Sequence, residues 1–315
     1  MKRLLVIALC VLICCQGCRM TATPVETERK FTLYVGADAY EVYFSSIAAS
    51  ADFEEQMLNN PLDKNTDIYS FDDLRFGNIP SYYEYYEKWN YEIVNALSIL
   101  KEITSDDEYS HIMQSQAAWA QYVDFSFDLE HDMYSVDGVV PNGMFYPTVF
   151  WLCGVRARAR AMELYGYEYL LTGKVSFLES AHADVPSNTL QGEKTDLTIS
   201  ILPLTYEFYS QIDALLTESF SEGKADLGEE YYKLCADADE LITELTAELS
   251  DDLEKNLCTA EESWRAYIEE TYQAEKAILK RSKGEVHSAT LVRWERSLSR
   301  LAELYSYKEG LNQYH

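Results

Sequence analysis

Catalytic signatures are missing from this chain. Its 315 residues hold no nucleophile elbow, phosphate-binding glycine loop, zinc-protease helix motif or calcium loop. The five histidines (His111, His131, His182, His287, His315) are scattered. Glu130-His131-Asp132 sets an acid–base trio in a row, but consecutive residues of a helix face different ways and do not converge. Cysteine is scarce: beyond Cys18 there are only Cys153, Cys235 and Cys258, an odd number that leaves at least one thiol free or paired between chains in an oxidising compartment. If a hairpin turns near Ser250, Cys235 and Cys258 lie 15 and 8 residues from the bend. At helical rise that is a mismatch of about 10 Å, which argues against a disulfide. Three isolated thiols make no zinc site. The expectation is a protein that is not an enzyme and uses no metal or cofactor.

Positive charge is also in short supply. Against 53 acidic residues stand 26 basic ones, a formal net charge of −27. Such a field repels the phosphates of nucleic acid and anionic lipid surfaces. It would draw in a cationic partner, since complementary fields accelerate encounter; solubility alone is the plainer use. After Cys18 no apolar run approaches the roughly 18 residues that cross a bilayer.

What is present begins with an export signal. Met1-Lys2-Arg3 is a positive n-region and Leu4 to Cys15 an apolar h-region too short to span a membrane. Gly17 precedes Cys18 as the small residue before a lipidated cysteine, although Cys15 stands where a lipobox usually has leucine. Cys18 is therefore expected to carry a lipid anchor, with an ordinary cleaved signal peptide as the alternative. Residues 1–17 read as signal peptide and 18–30 as anchor and tether.

The rest of the chain reads as a duplication. Ser105-Asp106-Asp107, Trp119 and Tyr122 recur as Ser250-Asp251-Asp252, Trp264 and Tyr267, each 145 residues later, and Tyr86 and Lys88 meet Tyr231 and Lys233 at the same offset. Upstream, Thr32, Tyr40, Glu41 and Tyr43 coincide with Thr198, Tyr206, Glu207 and Tyr209 at an offset of 166. Downstream, Arg160, Glu163, Leu164 and Tyr165 correspond to Arg300, Glu303, Leu304 and Tyr305. Order is kept across all three blocks, so the fold is read from the repeat.

Each copy opens with period-two apolar residues, Phe31, Leu33 and Val35 or Leu197, Ile199 and Ile201, which fit a short strand. Helices are expected over 38–50 and 204–220, then over 82–103 and 229–248, then after each Ser-Asp-Asp triplet, where Ser105-x-x-Glu108 and Asp251-x-x-Glu254 fit capping boxes. A last helix in each copy carries Arg-x-x-Glu-Leu. The fold expected is mainly α: two tandem antiparallel helical-bundle units, at 31–170 and 197–310, joined by a linker at 171–196. There are 25 tyrosines, suited to packing between helices and, as a second use, to a glycan- or protein-contacting face.

Gln116, Trp119 and Tyr122 followed by Arg160, Glu163 and Leu164 form a Q-x-x-W-x-x-Y … R-x-x-E-L pattern that resembles the LprI-type lysozyme-inhibitor family. Trp264, Tyr267, Arg300, Glu303 and Leu304 give a similar second copy. The resemblance implies small, helical, exported, often lipid-anchored proteins that inhibit lysozyme. The family's cysteine after the Tyr is absent from Phe125 to Asp128, so Cys153 lacks the partner that the family pattern would supply. At helix-face spacing the motif residues themselves read as packing positions. The functional expectation is an envelope-anchored binding lipoprotein capturing a cationic hydrolase such as lysozyme, with Asp137, Asn142, Phe145 and Tyr146 as its candidate binding loop. A glycan- or small-ligand-binding surface lipoprotein and a structural envelope protein are the alternatives.

Overall fold

The computed structural model describes residues 31–35, 38–42, 47–48, 50–58, 60, 62, 79–134, 146–178, 227–284 and 286–312. The signal peptide, Cys18, the tether, the helix expected over 204–220, the segment with Leu197, Ile199 and Ile201, the linker beyond 178, and Asp137, Asn142 and Phe145 all lie outside them.

The protein is mainly helical. A hairpin comes first, β1 (Phe31–Val35) pairing antiparallel with β2 (Asp38–Val42). The helix expected over 38–50 is thus replaced at its start by a strand. The register sets Leu33 opposite Tyr40 and Phe31 opposite Val42, pairs that suit a pleated surface better than a helix. Helix α1 (Ala51–Leu58) begins only later, where Ser50 Oγ accepts the Phe53 N–H at 3.1 Å as an N-cap.

Helix α2 (Ile79–Ile103) has Pro80 in its first turn, where the missing N–H is harmless. Its buried residues Tyr85, Trp89, Glu92, Ile93, Ala96 and Leu100 recur every three or four positions and so share one face. Helix α3 (Asp106–Tyr134) starts with the expected box: the Ser105 N–H donates to Glu108 Oε2 at 2.8 Å and the Glu108 N–H to Ser105 Oγ at 3.3 Å. Helix α4 (Tyr146–Thr172) ends at Gly173, whose φ of 76° is the left-handed conformation that closes a helix. The segment leaving α4 is then held down. The Ser176 N–H and hydroxyl bond Glu168 at 3.1 and 2.7 Å, and the Leu178 N–H bonds Glu92 at 3.2 Å.

The second half repeats the order with α5 (Leu227–Thr246), α6 (Asp251–Ser282) and α7 (Val286–Asn312). Its capping differs from expectation. Ser250, at φ −70° and ψ 160°, is the N-cap of α6 and makes no side-chain cap bond. Asp251 is therefore already the first helical residue, so the Asp251-x-x-Glu254 box does not form. Asp251, Asp252 and Glu254 act instead through their charge at the positive end of the helix dipole. Helix α6 stops at Lys283, in the left-handed region at φ 59°, and the Gly284 N–H reaches back to Leu279 O at 2.8 Å.

Packing runs both within and between the two halves of the chain. Helix α2 lies along α4, and α5 along α7. The most extensive pairing, however, joins the halves: α3 runs antiparallel along α6. Near its start Glu108 meets Arg281 at 2.9 Å, and further along Ser115 bonds Thr271 at 2.5 Å. Ala118, Trp119, Tyr122 and Val123 of α3 and Ala260, Trp264, Tyr267 and Ile268 of α6 belong to one continuous core. Each middle helix buries its aromatic stripe against the other half, so neither stripe needs a fourth helix of its own.

Candidate functional site: two crossed polar locks

Every described motif residue on the two Arg-x-x-Glu helices and their Trp-x-x-Tyr partners turns inward. Trp119 and Trp264 are each 5 % exposed, Leu164 and Leu304 fully buried, and Arg160 and Arg300 1 % and 2 % exposed. Helical spacing explains the local geometry. Arg160 and Glu163, like Arg300 and Glu303, are three apart, so each Arg Nη1 bonds the Glu one turn on.

Spacing does not reveal which helix each pair faces, and that is where the halves cross. The Tyr267 hydroxyl of α6 donates to Glu163 of α4 at 2.7 Å, and the Tyr122 hydroxyl of α3 donates to Glu303 of α7 at 2.8 Å. The Arg160 guanidinium lies 5.2 Å from the Tyr267 ring centre and that of Arg300 lies 5.1 Å from the Tyr122 ring. Both distances fit cation–π contact. Each half's Arg-x-x-Glu therefore closes on the other half's motif tyrosine. Gln116 and its counterpart Glu261 serve the same arginines: the Arg160 Nε donates to Gln116 at 2.9 Å and the Arg300 Nε to Glu261 at 3.1 Å.

Three further pairs complete the locks, and the sequence reading passed over them. Arg156 of α4 grips Glu130 of α3 with two donors, at 2.9 and 2.5 Å, and reaches Glu303 through its Nε at 3.0 Å. Its counterpart Arg296 of α7 bonds Glu275 of α6 at 2.8 Å and lies 3.1 Å from Glu163. Tyr307 donates to Glu130 at 2.6 Å, while Tyr167 donates to Glu163 at 3.0 Å and stands 3.4 Å from Glu275. The signal was available. Glu130 and Glu275 keep the 145-residue offset of the Trp–Tyr block, and Arg156/Arg296 and Tyr167/Tyr307 keep the 140-residue offset of Arg160/Arg300. Within Glu130-His131-Asp132 the divergence is as expected. Glu130 is fully buried, whereas His131 and Asp132 contact each other at the surface at 3.2 Å.

Buried charge sets the electrostatics. Burial alone would raise the Glu303 carboxyl, but the Arg156 and Arg300 guanidiniums override it and hold it down at about 2. Glu163 is likewise lowered against its burial by Arg160 and Arg296. Glu275 goes the other way: burial pushes it up to about 7, Arg296 offsets only part of that, and the Glu163 carboxylate adds to it. Cys153, buried and free, is pushed up to about 12 by burial, so its thiol is inert at neutral pH. Cys235 and Cys258 are also free thiols.

Chemically, the arrangement fastens helices together. Arg156, Arg160, Arg296, Arg300 and the half-exposed Arg265 face Glu130, Glu163, Glu261, Glu275 and Glu303. With Asp239, which Arg265 also bonds at 2.6 Å, that is five cations against six carboxylates. Among the described residues no group of His, Cys, Asp and Glu is placed to hold a metal ion. Of the candidate loop, Tyr146 opens α4. No protein-family model, no curated protein and no solved structure matches this chain. The likeness to the LprI-type family rests on the motif.

Proposed function

We propose that this protein is an exported, envelope-anchored binding lipoprotein that captures a cationic protein, with a lysozyme-type hydrolase as the partner class. The observation carrying this reading is where the charge lies. The locks pair their buried charges internally, so nearly all of the net charge of −27 lies outside them. Exposed Glu240, Glu248, Asp251, Asp252 and Glu254 gather where α5 turns into α6, beside Glu244, which is paired with Lys308. Such a face steers a basic partner by long-range attraction that salt screens. The motif resemblance and the amino-terminal export signal support the same reading. In it the motif residues hold the scaffold, and contact falls to surface groups and to the segment between α3 and α4 that contains Asp137, Asn142 and Phe145.

The test is cell-wall lysis by lysozyme with and without the soluble chain, over a salt series. Inhibition should be strong at low salt and fade as ionic strength rises. Lysis that proceeds unchanged at low salt rejects the reading.

A second reading is supported by exposed aromatics. Tyr83, Tyr91 and Tyr232 are 46 %, 59 % and 69 % exposed and offer rings, apolar on their faces and polar at the tip, on which a sugar can stack. This reading calls for saturable binding to wall fragments that survives high salt.

A further inference from the structure

The two locks are built to the same plan but are not equally filled. Glu130 receives two donors from Arg156 and a short bond from the Tyr307 hydroxyl. Its counterpart Glu275 receives one bond from Arg296 and stands 3.4 Å from Tyr167. Oε2 of Glu275 is buried without a hydrogen-bond partner. Tyr167 has a single hydroxyl proton and already directs it to Glu163 at 3.0 Å. Arg296 is likewise divided between Glu275 and Glu163. Two buried carboxyls thus share one guanidinium and one hydroxyl, while Glu163 alone also has Arg160 and Tyr267.

The groups facing Glu275 come from two other helices. Helix α4 brings Glu163 and Tyr167, with Arg160 behind Glu163, and α7 brings Arg296. Helix α3, packed along α6, meets the neighbouring positions instead: Ser115 bonds Thr271 and His111 bonds Glu270 at 2.7 Å. Helix α5 meets α6 through Asp239 and Arg265. A buried carboxylate so poorly served, beside a second carboxylate, is costly to ionise.

We infer that Glu275 is a proton-operated latch: it sits as a neutral acid in the closed lock, and its ionisation as pH rises loosens the junction of α4, α6 and α7. Glu130, gripped by Arg156 and Tyr307, is the fully partnered version of the same position. Because the Glu275 carboxyl is raised from 4.5 to about 7, its contribution to stability is fully present below 4.5 and is lost as pH rises through 7.

The experiment follows the urea midpoint of the full chain across that pH window for the wild type, Glu275→Gln and Glu130→Gln. The wild type should lose stability as pH rises, Glu275→Gln should lose markedly less over the same window, and Glu130→Gln should keep the wild-type slope. A Glu275→Gln slope equal to that of the wild type overturns the proposal. Infrared difference spectra give an independent reading if Glu275→Gln does not fold. A protonated-carboxyl band in the wild type at acid pH should vanish as pH passes 7 and shift in frequency in Tyr167→Phe; no such band, or one indifferent to Tyr167→Phe, also overturns it.

Discussion

At the scale of single residues, what matters is that the repeated arginines are buried and answered by charge. Removing one member of such a pair strands the other in a medium that cannot solvate it, at a cost of about 3–5 kcal/mol. Arg160→Met should therefore lower unfolding free energy by that order in urea denaturation, whereas Lys255→Met, at an exposed position on α6, should change it little. Comparable losses from both would mean that Arg160 is not locked in place. Tyr267→Phe removes a hydroxyl that donates to a carboxylate and should cost about 1–3 kcal/mol. Glu303 gives a pH signature of opposite sign to that of Glu275. Held down from 4.5 to about 2, it stabilises the fold above 4.5 and loses that contribution as pH falls toward 2. Glu303→Gln should flatten the acid side of the stability curve, measured as the thermal midpoint between pH 2 and 5.

At the scale of elements, helix ends and close contacts decide. Ser105 closes a reciprocal box and Ser250 makes no side-chain bond, so Ser105→Ala should cost about 1 kcal/mol and Ser250→Ala clearly less, by chemical denaturation. At Gly154 of α4 an added Cβ would come within 2.6 Å of the Tyr85 ring of α2. Gly154→Ala should destabilise by about 1–3 kcal/mol through forced displacement of that ring.

The elements were largely legible in the sequence, for identifiable reasons. Capping residues, the Ser-Asp-Asp triplets and the breaker at Gly284 placed the long helices within three residues of their observed starts, as at Ile79 and Leu227. The first strand was legible in the alternation of Phe31, Leu33 and Val35. The second was not, because Asp38–Val42 carries no decisive period and its state depends on a partner strand. The motif residues were legible as a repeat, yet their partners were not. Spacing along one helix says which residues share a face but not which helix that face will meet, so the crossing of Arg160 to Tyr267 and of Arg300 to Tyr122 needed three dimensions.

At the scale of the whole molecule, the halves are interdependent. Both locks draw on helices from each half, and α3 and α6 share their core. The described helices should therefore unfold together. In calorimetry a single transition whose van't Hoff and calorimetric enthalpies agree is expected, and two resolved transitions assignable to the halves would contradict it. The external charge should act at this scale as well, weakening association with a basic protein as salt rises.

Helix α7 is the last described element, and it supplies Arg296, Arg300, Glu303 and Tyr307, without which neither lock shuts. During synthesis Arg156 consequently finds its second counter-charge, Glu303, only once α7 has been made, whereas Arg160 meets Gln116, Glu163 and Tyr267 without it. A fragment cut before α7 would leave Glu275 buried with no cation beside it and Arg156 with half of its grip.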